Sequence, residues 1–418
     1  MLNNWQLQGD TNPCSIAVVI PALGEGAQLW ATLNSIATNP LPLLHKTVVA
    51  VVINSRADSA PSLIKQNLID LKYLQRHSSN PLSTHQNRPD SDKKLNFAAL
   101  RLAWVDATSD NRQLPSKNGG VGLARKIGCE LMLPQLDKQG VLVQLDADTR
   151  VDQQYLGAIS SAFASTTCQA AVISYKHQDS ASSKERNAIQ HYELYMRCHA
   201  LGLRLAGSPY AYHSIGSTIA CSKKAYLKAG GMNCRSAGED FYFLQQLAKT
   251  SGVQRISATV VHPAARISQR TPFGTGQVIH ERCTSNSEQL FYAPQCYQLL
   301  HRWLKLISNN LDNSGAELLA QARTINSDLA CFIEQQNFAA VWQRLSATHR
   351  THQRRLHAFH EWFDALKTLR CIKHLSVCTY PMANASHHVP PLLRMAGLNC
   401  GSDVEHWLQV MQEYDGAI

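Results

Sequence analysis

An apolar run, Val141-Leu-Val-Gln-Leu145, leads directly into Asp146-Ala147-Asp148. Two carboxylates at the end of a buried strand have given up hydration and need a cationic partner. Mg²⁺ and Mn²⁺ supply one, because they favour oxygen ligands and bind through one or two carboxylates plus phosphate oxygens. In that role Asp146 and Asp148 would hold a cation against a diphosphate and stabilise it as a leaving group. The same spacing recurs in Asp90-Ser91-Asp92, but that copy sits in a polar stretch with no strand before it and reads as a solvated turn.

Other groups flank this pair. His262 ends the run Val260-Val261-His262 and offers an imidazole to complete a metal shell, or is a structural histidine after a strand. Arg125 and Lys126 follow the turn Asn118-Gly119-Gly120-Val121-Gly122. Glycines admit close backbone approach, and an arginine there can grip phosphate bidentately; the alternative is two exposed cations at a helix start. Arg266 and Arg270 precede Gly274 and Gly276, in a stretch able to close over a diphosphate or bind an anionic acceptor, or else to link domains. Glu239 and Asp240 precede Phe241, Leu244 and Leu247, as acidic residues in the first turn of a helix do.

The elements that must position these groups alternate between strand and helix over the first two thirds of the chain. Strands are predicted at Ser15–Ile20, Thr47–Ile53, Leu100–Val105, Val141–Leu145 and Ala171–Tyr175. Helical spacing appears at Leu29, Leu33 and Ile36, at Ile64, Leu68 and Leu71, from the Gly-rich turn to Leu133, and at Tyr155, Leu156, Ile159 and Phe163. This order predicts a mostly parallel sheet covered by helices, with ligands beyond the carboxyl ends of its strands. Residues 75–97 are polar and read as a loop or insertion. After about residue 285 only helical spacing is found, at Leu299–Leu306, Leu318–Ile333, Phe338–Leu345 and Phe359–Leu369. The expected division is therefore an α/β domain over 1–280 and an all-helical domain over 285–418.

Several ordered blocks give this chain a resemblance to family 2 glycosyltransferases of GT-A fold, over about residues 14–275. They are Val18-Val-Ile-Pro21-Ala-Leu-Gly-Glu25, Val51-Val-Ile-Asn54-Ser-Arg-Ala-Asp58, Gly120-Val-Gly-Leu-Ala-Arg125-Lys-Ile-Gly128, Leu145-Asp-Ala-Asp148, Gly216-Ser-Thr, Gly230-Gly231-Met and Gly238-Glu239-Asp240. The resemblance implies an inverting, metal-assisted transfer of sugar from a nucleotide-diphosphate donor to an acceptor hydroxyl. It implies a nucleotide site at Pro21, Ala22, Glu25 and Asn54, with Arg125, Asp146 and Arg270 toward the diphosphate. Asp146, Asp148 and His262 would hold Mn²⁺ or Mg²⁺, and Asp240, with Glu239 second, would deprotonate the acceptor. Two positions differ from the family's usual pattern: Gly24 stands where asparagine is usual, and Asn54 where aspartate is common.

The bulk composition is compatible with this reading. The 418 residues suit about two domains, and 44% hydrophobic with 17% charged residues marks a globular chain. A net charge of +10 fits a nucleotide diphosphate, an anionic acceptor or a membrane surface. No RNA-binding signature or zinc-finger spacing appears, so no nucleic-acid partner is expected. The twelve cysteines are scattered without a CxxC pair and read as reduced thiols. Met1–Ser15 lacks a basic start followed by an apolar stretch, and no apolar run could span a bilayer. The expected location is cytoplasmic, with peripheral contact at the inner membrane face left open by the basic, aromatic stretch His349–Trp362. The acceptor is a small molecule, a lipid-linked species or a glycan. Two rival readings stand beside the transferase: a sugar nucleotidyltransferase, and a GT-A-fold binding protein without activity.

Overall fold

The structure is a computed structural model that describes residues 4–78, 99–180, 182–235, 238–265, 284 and 288–417. Two compact units are present. The first comprises Met1–Arg186, Ser214–His280 and Tyr414–Ile418; the second comprises Asn187–His213 and Glu281–Glu413. In the sequence, helical spacing alone is found after about residue 285. The early segment 187–213 and the return of the chain end to the first unit carry no such signal.

The first unit is built on a nine-stranded sheet of order β1-β4-β3-β2-β5-β8-β7-β9-β6. Its strands are β1 (Leu7–Gly9), β2 (Cys14–Ala22), β3 (Thr47–Asn54), β4 (Arg101–Ala107), β5 (Leu136–Gln144), β6 (Arg150–Val151), β7 (Ala170–Tyr175), β8 (Ile219–Ser222) and β9 (Gln254–His262). β3 is buried along its whole length, as its unbroken Val and Ala run requires of a strand covered on both faces. β2 pairs in parallel with β3 and β5, and β3 with β4, so the expected parallel core is present. The difference lies beyond β5. The four-residue β8 inserts there antiparallel to both β5 and β7, and β7 then pairs in parallel with β9.

The helices of this unit are α1 (Ala27–Ala37), α2 (Leu41–Leu44), α3 (Pro61–Ser78), α4 (Val121–Met132), α5 (Tyr155–Ala164), α6 (Ser183–Leu205), α7 (Lys223–Lys228) and α8 (Glu239–Ser251), with α6 carrying the chain into the second unit. Residues 75–78, expected to open a loop, prolong α3 instead. The rest of that expected insertion, from 79, lies outside the described residues.

The second unit is helical. From residue 290 onward the only β pairing among the described residues is an isolated bridge between Phe291 and Ala383. The predicted run Leu318–Ile333 is two helices, Gly315–Ile325 and Ser327–Gln335, because Asn326 caps the second by accepting from the Leu329 amide at 2.8 Å. Asp364 likewise splits Phe359–Leu369 into His352–Trp362 and Ala365–Cys378. Trp303, Phe338, Phe359 and Phe363 form an aromatic centre in this unit's core. No described helix is long and apolar enough to cross a membrane. The eleven described cysteines are free thiols.

Candidate active site

The pairings set β2, β3, β4, β5, β7 and β9 in one direction, so their carboxyl ends share one end of the sheet. Asp146 and Asp148 follow β5 there, and Asn54 ends β3. Gln178 follows β7, and His262 ends β9.

Arg125 is the pivot of this end. It lies on α4 and is only 2% exposed. Its Nη2 donates to Asp146 Oδ1 at 2.5 Å and its Nη1 to the Gly216 carbonyl at 3.1 Å. Its Nε stands 3.3 Å from Glu239 Oε1. Burial alone would lower the arginine's pKa, but Asp146, Glu239 and Asp240 outweigh it and raise the value. The sequence reading sends Arg125 to a donor phosphate; here the guanidinium meets the protein's own carboxylates. Two glycines make room for this. A Cβ at Gly216 would lie 2.2 Å from Arg125 Nη2, and one at Gly122 would lie 2.4 Å from the Arg235 carbonyl oxygen. What approaches the Gly-rich turn is the chain's own backbone before α8.

Glu239 and Asp240 open α8 behind Gly238, whose φ of 69° gives a left-handed entry. Glu239 is buried, and burial raises its pKa against the opposing pull of Arg125. Asp240 keeps part of its surface, yet protein atoms crowd it. Burial first and then the neighbouring Glu239 push its carboxyl up to about 7. Asp240 Oδ1 accepts from the Phe241 amide at 2.7 Å. A carboxyl poised near neutrality at a sheet end that carries other acidic groups suits a general base.

On the nucleotide side, Pro21 and Ala22 end β2 and are buried, while Glu25 is half-buried in the loop that follows. Asn54 is buried and donates both amide hydrogens inward, to the Ala22 carbonyl at 3.0 Å and the Val52 carbonyl at 3.1 Å. It therefore ties β2 to β3 rather than offering those hydrogens to a base or ribose. α3 holds the same loop: Asn67 Oδ1 accepts from the Gly24 amide at 2.7 Å, and Asp70 from the Gly26 amide at 3.1 Å.

The loop bearing the paired aspartates is anchored at three successive carbonyls. Asp146 O accepts from the Thr149 amide at 3.1 Å, Ala147 O from Thr32 Oγ1 at 2.9 Å, and Asp148 O from Gln178 Nε2 at 2.9 Å. His262, at the end of β9, holds contacts of its own. Its Nε2 stands 2.9 Å from Asp152 Oδ1 and its Nδ1 3.1 Å from the Lys176 carbonyl, so oxygens take up both ring nitrogens. Among the described residues no three His, Cys, Asp or Glu side chains gather as a metal cage. One Asp146 oxygen is given to Arg125, and both aspartates are half-buried. Such a donor set fits a cation shared with ligand phosphates rather than one enclosed by protein. Arg270 lies outside the described residues. Sequence reasoning missed Gln178, Thr32 and Asp152, which carry no spacing pattern of their own.

No family model and no curated protein matches the chain. Among solved structures it is similar to residues 1–349 of TarS from S. aureus, at 10% identity and a TM-score of 0.36, over 97% of this chain and 92% of that one. The same TarS fragment in complex with UDP-GlcNAc gives 11% identity and a TM-score of 0.37, over 96% and 92%. The mannosyltransferase PcManGT from Pyrobaculum calidifontis, in complex with GDP-Man and Mn²⁺, gives 12% and 0.38, over 98% and 90%. Likenesses this slight carry no site residue from those proteins to this one.

Proposed function

We propose that the α/β unit is a GT-A-like glycosyltransferase that takes a sugar from a nucleotide-diphosphate donor and passes it, with inversion, to an acceptor hydroxyl. The observation that carries this reading is the gathering of Asp146, Glu239 and Asp240 around one buried arginine at the carboxyl end of the sheet. Three carboxylates against one cation leave a negative surplus. That surplus suits a site for a divalent ion, with one carboxyl kept partly protonated.

In this reading Asp148 and the outer oxygen of Asp146 would hold Mg²⁺ or Mn²⁺, which supplies charge neutralisation for the departing diphosphate. The β2 and β3 ends bind the nucleoside. Asp240 takes the proton from the acceptor hydroxyl as its oxygen bonds to the anomeric carbon from the face opposite the breaking bond to the diphosphate. Burial and then Glu239 raise Asp240's proton affinity, against the pull of the Phe241 amide and Arg125.

The test is a donor screen by thermal shift and slow hydrolysis with Mn²⁺. The panel includes UDP-GlcNAc and GDP-Man, the donors seen with the similar proteins. Stabilisation by at least one donor, with release of a nucleoside diphosphate, is the expected result. Pyrophosphate release from a nucleoside triphosphate and a sugar phosphate would instead favour a nucleotidyltransferase. Binding without turnover over a broad acceptor panel would favour an inactive binding protein.

A further inference from the structure

Of the three loop carbonyls at the paired aspartates, two are satisfied from nearby: Asp146 O within its own turn, and Ala147 O by Thr32 on α1. The third, Asp148 O, is reached by a side chain from the other half of the sheet. Gln178 Nε2 carries two hydrogens and spends one on Asp148 O at 2.9 Å and the other on His262 O at 2.7 Å. The Gln178 backbone amide donates to Pro263 O at 2.9 Å, which fixes the base of the side chain. Below it, His262 spans the Lys176 carbonyl and Asp152 Oδ1, and Asp152 Oδ2 accepts from the Val260 amide at 3.3 Å. Asp152, Lys176, Gln178, Thr259 and His262 line one cleft of about 590 Å³. The clamp therefore ties the Asp148 carbonyl, and Asp152 four residues on, to the ends of β7 and β9.

We propose that Gln178 is a positioning residue that sets the direction of the Asp148 carboxylate toward a metal-bound diphosphate, an assignment that rests on the transferase reading above. The peptide plane after Asp148 is rigid, so fixing its carbonyl fixes the backbone from which the Asp148 side chain leaves. The primary amide serves both carbonyls from one atom without bringing a charge. Glutamate has the same shape but sets an acceptor against two acceptors. Aliphatic replacements leave both carbonyls unserved.

The test measures UDP and GDP affinity by calorimetry, with Mn²⁺ and with chelator, for the full chain and for Gln178→Glu and Gln178→Leu. Thermal unfolding is recorded on the same samples. The expected result is a loss of about tenfold in Mn²⁺-supported affinity in both variants, the worth of about one hydrogen bond, with the chelator-treated affinity unchanged. Equal losses with and without Mn²⁺ would overturn the proposal, because a merely structural role moves both. Unchanged affinities would also overturn it. Should Gln178→Glu not fold, Gln178→Met preserves the length and carries the same comparison. Failure of the unmodified chain to bind either nucleotide with Mn²⁺ would overturn the transferase reading itself. Binding by the unmodified chain, undiminished in the variants, would sink only the role of Gln178.

Discussion

Each unit buries one arginine among carboxylates, and the two arginines solve different problems. In the helical unit Arg197 faces Glu193 one turn away, with both side chains at most 3% exposed. Arg197 Nη2 donates to Glu193 Oε1 at 2.9 Å, and Gln412 Nε2 donates to the same oxygen at 2.8 Å. Cation and anion come from one turn of one helix, α6, so the pair is local. In the α/β unit Arg125 touches Asp146, stands beside Glu239 and is felt by Asp240. A pair within one helix serves that helix. An unbalanced cluster at a sheet's carboxyl end can be completed by a cation or a proton, and both are useful in expelling a diphosphate and activating a hydroxyl.

The largest effect that would break this comparison is on stability. Arg125→Met and Arg197→Met should each cost about 3–5 kcal/mol in denaturant unfolding, because each strands a buried carboxylate. The units then diverge. Adding Glu193→Leu to Arg197→Met removes both members of the local pair and should recover much of that loss. Adding Glu239→Leu to Arg125→Met should recover less, since Asp146 and Asp240 remain. Equal recovery in the two units would mean that the local pair and the wider cluster do not differ.

A smaller effect sharpens the functional side. Asp148→Asn should weaken Mn²⁺-supported binding of UDP or GDP by roughly 10–100-fold, the range for losing an interaction with a charged group. The Arg197→Met/Glu193→Leu variant should bind like the unmodified chain, and a comparable loss there would mean that the local pair also serves the nucleotide.

A still smaller effect lies in pH. Asp240 has its carboxyl raised from 3.8 to about 7. The folded chain thus holds that proton across a window in which the unfolded chain has lost it, so stability falls as pH rises from 3.8 to about 7. Catalysis runs the other way, because a base must be unprotonated: turnover should rise through about pH 7 and level above it. A rate that is flat across that range would remove Asp240 as the base.

Much of this was legible in the sequence because periodicity reports burial directly. The Val and Ala run of β3 and the apolar lead into Asp146 placed the parallel core and the acidic end correctly. The role of Arg125 was not legible. A Gly-rich turn before an arginine looks the same whether a phosphate or the backbone at Arg235 makes the close approach. The contacts of His262 were not legible because spacing says nothing of Asp152, whose carboxylate meets its ring nitrogen from 110 positions away. Gln178 was missed because a glutamine after a strand has no pattern. β8 was missed because four residues are too few for a period. The breaks at Asn326 and Asp364 were readable, since each is a capping residue before a helical run.

The most direct measurement compares Asp240→Asn with the unmodified chain in donor binding and in sugar transfer, with thermal unfolding recorded on the same samples. Asparagine keeps the shape and the acceptor for the Phe241 amide but cannot take up the proton. Nucleotide and Mn²⁺ binding should persist while transfer falls by roughly 10²–10⁴-fold. Transfer at the unmodified rate would contradict the account and send the search for the base to Glu239.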